Sequence, residues 1–234
     1  MRRLFLAALL LLYATSMAHA GSVDPESPNI IFIFADDLGW GDLSCYGKRG
    51  FRTPNLDKLA AQGTLFTQFY VAGSVCSPSR TGIMTGHFPA RHQVFGHFAR
   101  TETNKKRGMP NELDADVVTL TDLLSDAGYR TGHFGKWHLG GVPCQHYGID
   151  EYRTESWSNV PGKKTIDIWG AAARPTCTAD ILDATLNFIK GNQSKPFYVN
   201  AWLSDPHATL NPSEEQLERV KRFKPKGVEF HGVA

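Results

Sequence analysis

The residues able to do chemistry in this chain fall in four short clusters. Cys76-Ser77-Pro78-Ser79-Arg80, followed by Thr81-Gly82, sets a sulfur nucleophile close to a guanidinium. Pro78 favours a first helical turn, so residue 76 is expected at a helix N-terminus, where anions and activated nucleophiles are stabilised. Arg80, about one turn further on, offers a planar fork suited to a tetrahedral oxyanion. The plainer alternative is a half-buried cysteine ahead of a helix that carries Arg80 on a solvated face. Asp36-Asp37 can share a metal only if the strand they follow ends there, because adjacent acids on a continuing strand point to opposite faces. Gly39 and Gly41 permit such an end, and a turn or cap is the alternative use of the pair. Lys136 and His138 are two apart and would face one way on an extended segment. A surface lysine and a core histidine is the alternative there. His207 follows Asp205-Pro206, either as a site residue or as an ordinary turn histidine.

The elements that must position these clusters read as alternating strands and helices. Residues 29–35 form a continuous apolar run ending in the two acids, the pattern of a strand buried on both faces of a parallel sheet, and are expected as the first central strand. Thr53 as cap, Pro54 at the first helical position and Gly63 behind the last turn delimit a helix. A second strand is expected over residues 65–71. Leu120, Leu123 and Leu124 share a face of a helix over 119–127, Gly128 follows it, and 129–134 reads as a strand. Ile181, Leu182, Leu186 and Ile189 mark a helix over 179–190, leading through Pro196 into a strand over 197–203. A charged amphipathic helix is expected over 213–223. Residues 141–176 are rich in Gly, Pro, Trp and Tyr without periodicity and read as surface loops over the site.

This alternation implies an α/β fold with a doubly wound, mostly parallel sheet. Ligands bind such sheets at the carboxyl ends of strands. The first strand ends in Asp36-Asp37, the second leads into Cys76, the third runs into Lys136 and His138, and the fourth ends before His207.

Composition bounds the remaining possibilities. The chain has 234 residues, 41% hydrophobic and 21% charged, as an ordinary globular protein with one substantial core. A net charge of +2 gives no reason to expect nucleic acid or another polyanion as partner. Lys105-Lys106-Arg107 is a local basic run, read as a solvated loop that leaves open a contact with an acidic glycan. Met1-Arg2-Arg3, an apolar run over 4–13 and Ala18-His19-Ala20 read as a signal peptide over residues 1–20, so the protein is expected to be exported. The run is too short to span a bilayer, no later segment is long and apolar enough, and the arginine pair leaves secretory and twin-arginine routes both open. Cysteines 45, 76, 144 and 177 are too few for a disulfide scaffold. Asn192-Gln193-Ser194 is a sequon that matters only in a eukaryote. Histidines 87, 92, 97, 133, 146 and 231 read as loop or packing residues.

Together with their flanking residues, these clusters resemble the type I, formylglycine-dependent sulfatases of the alkaline-phosphatase-like superfamily. The similarity rests on Cys76 to Gly82, on Gly135-Lys136-Trp137-His138-Leu139-Gly140, on Asp37-Leu38-Gly39-Trp40-Gly41-Asp42 after Asp36, and on Tyr147-Gly148-Ile149-Asp150-Glu151-Tyr152. A cysteine-phosphatase loop fits less well, since its cysteine and arginine are farther apart. The resemblance implies that a formylglycine-generating enzyme oxidises Cys76 to an aldehyde. One hydroxyl of its hydrate attacks sulfur, and the other later expels sulfate. It implies a calcium ion on Asp36, Asp37 and residue 76, with Arg80 beside the sulfate. Lys136 would hold the sulfate and the hydrate, His138 would take a proton from the covalent hemiester, and His207 would lie against the substrate and help the leaving oxygen depart. Asp205 departs from the small residue or histidine usual there.

The implied substrate is a sulfate monoester, a sulfated small molecule or glycan, with a leaning toward sulfated carbohydrate and with loops 88–112 and 141–176 setting the choice. Calcium takes about 6 to 8 oxygens and two carboxylates supply up to about four. Family members draw further ligands and another lysine from sequence farther downstream, so residues 21–234 are expected to be the N-terminal part of a catalytic domain, with little turnover alone. A phosphonate or phosphodiester hydrolase of the same superfamily and a secreted, non-catalytic fragment are the competing readings.

Overall fold

The computed structural model describes residues 27–48, 52–155 and 165–221. The expected signal peptide lies outside the described residues, as do 222 and 223 at the end of the last expected helix. In chain order the elements are β1 (Ile30–Asp36), α1 (Pro54–Gln62), α2 (Cys76–Thr85), α3 (Thr101–Lys106), α4 (Leu120–Asp126), β2 (Arg130–Gly135), β3 (Glu151–Thr154), α5 (Cys177–Gly191), β4 (Phe197–Pro206) and α6 (Glu214–Val220). The four strands form one parallel sheet in the order β1-β4-β2-β3. Parallel neighbours require crossovers; helices lie between β1 and β2 and between β3 and β4, and residues 136–150, with one short 3-10 turn, join β2 to β3. Helices α4, α5 and α6 match the sequence expectation within a few residues. Thr119 closes a capping box with Asp122 before α4, and Ser213 closes another with Gln216 before α6.

β4 sits inside the sheet, and its alternation divides the core. Phe197 and Val199 pack with Phe134 of β2 and with Ile181, Ala184 and Phe188 of α5. Trp202 turns to the opposite face, where Phe32, Phe34, Met84, Trp137, Leu139 and Tyr147 gather. Helices therefore cover both faces, the doubly wound arrangement.

Three expectations are corrected. β1 is an edge strand of this sheet, and its apolar run alternates: Phe32 and Phe34 pack on Trp202, whereas Ile31 and Ile33 are 50% and 59% exposed. Only one of its faces is covered by described residues, and the period-2 geometry sends every second side chain to the other. Residues 65–71 form no strand. They have no strand partner, and Phe66 and Phe69 lie exposed with their rings 5.8 Å apart. An irregular segment, instead of a strand end, delivers Cys76. Finally, residues 141–176 are not simply surface loops, because they contain β3 and the buried Cys144, Tyr147, Ile149, Ile166 and Ile168. Thr119 and Thr121 donate to the Tyr147 carbonyl, which ties this segment to α4. None of the four cysteines is in a disulfide. Among the described residues no helix is long and apolar enough to cross a membrane.

Candidate active site

The centre is built where β1, β2 and β4 end beside the first turn of α2. Cys76 is the first residue of α2, with Val75 as an extended N-cap that makes no side-chain capping bond. The start of a helix leaves backbone N–H groups without intrahelical partners, so residue 76 stands in a field that favours negative charge. Pro78 lies in that first turn, as its fixed φ predicts.

Arg80 is not on a solvated face. It is fully buried, with its guanidinium 5.2 Å from the Phe34 ring centroid and 4.9 Å from that of Trp202. Its Nη1 donates to the Lys136 carbonyl at 3.0 Å, and Nη2 lies 3.5 Å from Asp36 Oδ1. Burial lowers its pKa from the ordinary value, and the charge of Asp36 opposes that. Its Nε is buried with no hydrogen-bond acceptor among the described residues, and Nη2 has the Asp36 carboxylate at ion-pair distance. An unsatisfied charged donor is costly to bury, so Nε beside the long Nη2–Asp36 contact marks a place for an anion.

Lys136 follows β2 directly. Gly135 has φ +107, and a Cβ there would lie 2.0 Å from the Trp202 carbonyl oxygen, so this close approach requires glycine. Lys136 N donates to that same carbonyl at 2.9 Å. The buried ammonium pairs with Asp36 Oδ2 and lies 4.8 Å from the centroid of the Trp169 ring. His138 does not continue an extended segment. The strand ends at Gly135, and His138 has φ 49, a left-handed conformation rare for histidine. A residue that no sequence pattern singled out holds this turn: buried Glu155 accepts from Trp137 N at 2.5 Å and from His138 N at 2.8 Å. Burial pushes its carboxyl pKa up against the pull of those N–H groups.

His138 Nε2 donates to the Phe98 carbonyl at 3.0 Å, which leaves Nδ1 as the basic nitrogen of the neutral ring. Ser77 Oγ donates to the His138 carbonyl at 2.8 Å and accepts from Phe98 N at 3.0 Å, locking α2 to this turn. Burial first, and then the charge of Lys136, lower the His138 pKa to about 4. His133, expected to be a packing residue, is one. It is fully buried between Trp137 and Trp202, and burial lowers its pKa to about 3.

The two acids part company at the end of β1. Asp37 has φ 63, so the strand does stop there, but Asp36 turns inward to Lys136 and Arg80 while Asp37 remains exposed, with Oδ2 3.7 Å from His207 Nε2. His207 is held by Arg174, whose buried guanidinium donates to the carbonyls of His207, Thr209 and Ile168 and to Ser204 Oγ. Arg174 also pairs with Asp205 at 3.2 Å, which gives that acid a local partner. Thus Cys76, Arg80, Asp36, Lys136 and His138 form one buried-edged cluster, and Asp37 with His207 forms its outer rim.

Asp36 and Asp37 are hard oxygen donors of the kind calcium takes. They do not make a calcium site by themselves: Asp36 is already paired with two cations, and among the described residues no group of three or more His, Cys, Asp or Glu is arranged to hold a metal. Beside the cluster an open cleft of about 440 Å³ is lined by Val75, Phe95, Gly96, His97, Arg107 and Met109.

Residues 28–230 match the family model "Sulfatase". N-acetylgalactosamine-6-sulfatase of Canis lupus familiaris is 32% identical over 244 residues, covering 92% of this chain and 46% of that protein. Arylsulfatase A of Homo sapiens is 48% identical over 124 residues, 53% of this chain and 23% of that one. The chain therefore spans less than half the length of these relatives. Among solved structures, Ps i-CgsB in complex with k-i-k-neocarrahexaose is 27% identical with a TM-score of 0.69, covering 86% of this chain and 50% of its own. With the fold, the helix-borne Cys76 and the Lys136-Trp137-His138 turn all in the matched region, this chain belongs to the sulfatase family.

Proposed function

We propose that this chain carries the sulfate-handling half of an enzyme that hydrolyses sulfate monoesters of carbohydrates, converting the ester and water into an alcohol and sulfate. The observation that carries the reading is the buried Arg80 guanidinium, with its Nε unsatisfied, beside buried Lys136 and the N-terminus of α2. Relatives named for sulfated amino sugars support the substrate class.

The fit of an oxidised residue 76 rests on its place at the helix start next to those cations. When formed by a formylglycine-generating enzyme, the hydrated aldehyde supplies one hydroxyl as nucleophile toward sulfur and a second whose deprotonation lets the carbonyl return. Arg80 Nε and Nη2 and Lys136 Nζ donate to the sulfate oxygens and neutralise charge as the ester bond lengthens. His138 Nδ1, on a ring fixed through Nε2 and a backbone held by Glu155, removes the proton from that second hydroxyl. His207 Nε2, facing Asp37, delivers a proton to the departing alcohol oxygen. Asp36 and Asp37 would give calcium only part of its shell. Residues 1–20 act as an export signal in this reading.

The test is hydrolysis of an aryl sulfate by the complete protein produced together with the maturing enzyme, with mass spectrometry of the peptide containing residue 76. Cys76→Ala should lower turnover by roughly three orders of magnitude or more. Turnover that survives this change, or an intact thiol in protein that turns over, refutes the proposal.

A further inference from the structure

The cleft beside the cluster is not lined like a pocket for a neutral group. Val75 precedes Cys76, and the His97 ring lies 6.2 Å from that of His138, so the cleft opens where the alcohol part of an ester held at residue 76 would project. Its volume, about 440 Å³, falls within the range of small-molecule sites, about 300–1,000 Å³. Phe95 is 59% exposed there and, with Val75 and Met109, offers an apolar floor of the kind on which a sugar ring lies. Among the described residues, Arg107 is the one formal charge on the lining. Its Nη1 donates to the His97 carbonyl at 3.1 Å, which tethers the exposed fork to a neighbouring lining residue. Lys105 and Lys106 share its basic run but lie on α3 outside the lining.

Resting on the reading above, we infer that Arg107 is a specificity residue for a second anionic substituent, a carboxylate or another sulfate, on the sugar that bears the ester. A planar fork held by a backbone carbonyl suits such a group better than a mobile ammonium does. The preferred ligand is then a doubly acidic sugar, with one sulfate at Arg80 and Lys136 and the second anion at Arg107.

Calorimetric binding of N-acetylgalactosamine 6-sulfate and N-acetylgalactosamine 4,6-disulfate to the Cys76→Ala protein, which cannot turn them over, tests this. The disulfate should bind roughly five- to twentyfold more tightly. Adding Arg107→Gln should bring the ratio to about one, whereas adding Lys105→Gln should preserve it. Equal affinities without either change, a ratio that survives Arg107→Gln, an equal loss in Lys105→Gln, or no binding of either sugar overturns the inference. Aryl sulfate hydrolysis by the mature, otherwise unaltered protein is scored separately and decides the proposed reaction, so the two failures are distinguishable.

Discussion

Glu155 gives the sharpest test of how the Lys136 to His138 turn is held. Its two oxygens accept from two successive backbone N–H groups in a buried setting, at 2.5 and 2.8 Å. Glu155→Ala removes both acceptors. Each orphaned donor costs about 1–3 kcal/mol, so the change should destabilise by about 2–6 kcal/mol, less whatever is regained by no longer burying a carboxylate. Glu155→Gln keeps one oxygen and aims an amide N–H at the other donor, which should cost about 1–3 kcal/mol. At roughly 2–4 °C per kcal/mol for a domain of this size, the alanine variant should melt about 4–24 °C lower and the glutamine variant about 2–12 °C lower. Thermal denaturation by circular dichroism measures both. Amide hydrogen exchange should show the loss localised at Trp137 and His138. An alanine variant that melts within about 1 °C of the parent, with those two amides still protected, refutes the clamp.

Other outcomes rest on the same geometry. His133 and His138 are held neutral with pKa values of about 3 and about 4, below the unfolded value of 6.5, so the unfolded chain binds more protons as pH drops below 6.5. Stability should be full above that pH and fall on acidification toward pH 4 by up to roughly 2–3 kcal/mol per pH unit, and His133→Phe should remove about half that slope in urea titrations. Gly135→Ala must force a Cβ against the Trp202 carbonyl at positive φ and should lower the melting temperature by several degrees or prevent folding; a neutral result would contradict the close approach. Arg174→Gln should raise hydrogen exchange over residues 204–209 while sparing β2, since Arg174 donates to the carbonyls of His207 and Thr209. Calcium at a few millimolar should raise the melting temperature of the 234-residue chain by less than about 3 °C, because binding must compete with the Asp36 ion pairs, and a much larger shift would show a complete site.

Local signals made much of this protein legible without coordinates. Pro78 sets the start of α2, the leucine and isoleucine spacing marks α4 and α5, and the strand readings of β1, β2 and β4 place chemically loaded residues at or just beyond strand ends. These features depend on a residue and its near neighbours, through fixed φ, capping and side-chain periodicity. The family resemblance lay within those same short strings.

Partnership across distance could not be read that way. Whether the run at 65–71 becomes a strand depends on finding an edge to pair with, and β1's buried and exposed faces depend on what packs over the sheet. Nothing adjacent to Arg80 announces that it will be enclosed by Phe34 and Trp202, nor does anything beside Glu155 or Arg174 announce that their side chains will hold the backbones bearing His138 and His207. The residue types at the centre are therefore a property of the sequence, whereas their burial, charge balance and mutual aim arise only when distant segments close together, because desolvation and hydrogen-bond satisfaction are decided by whatever comes to surround a group.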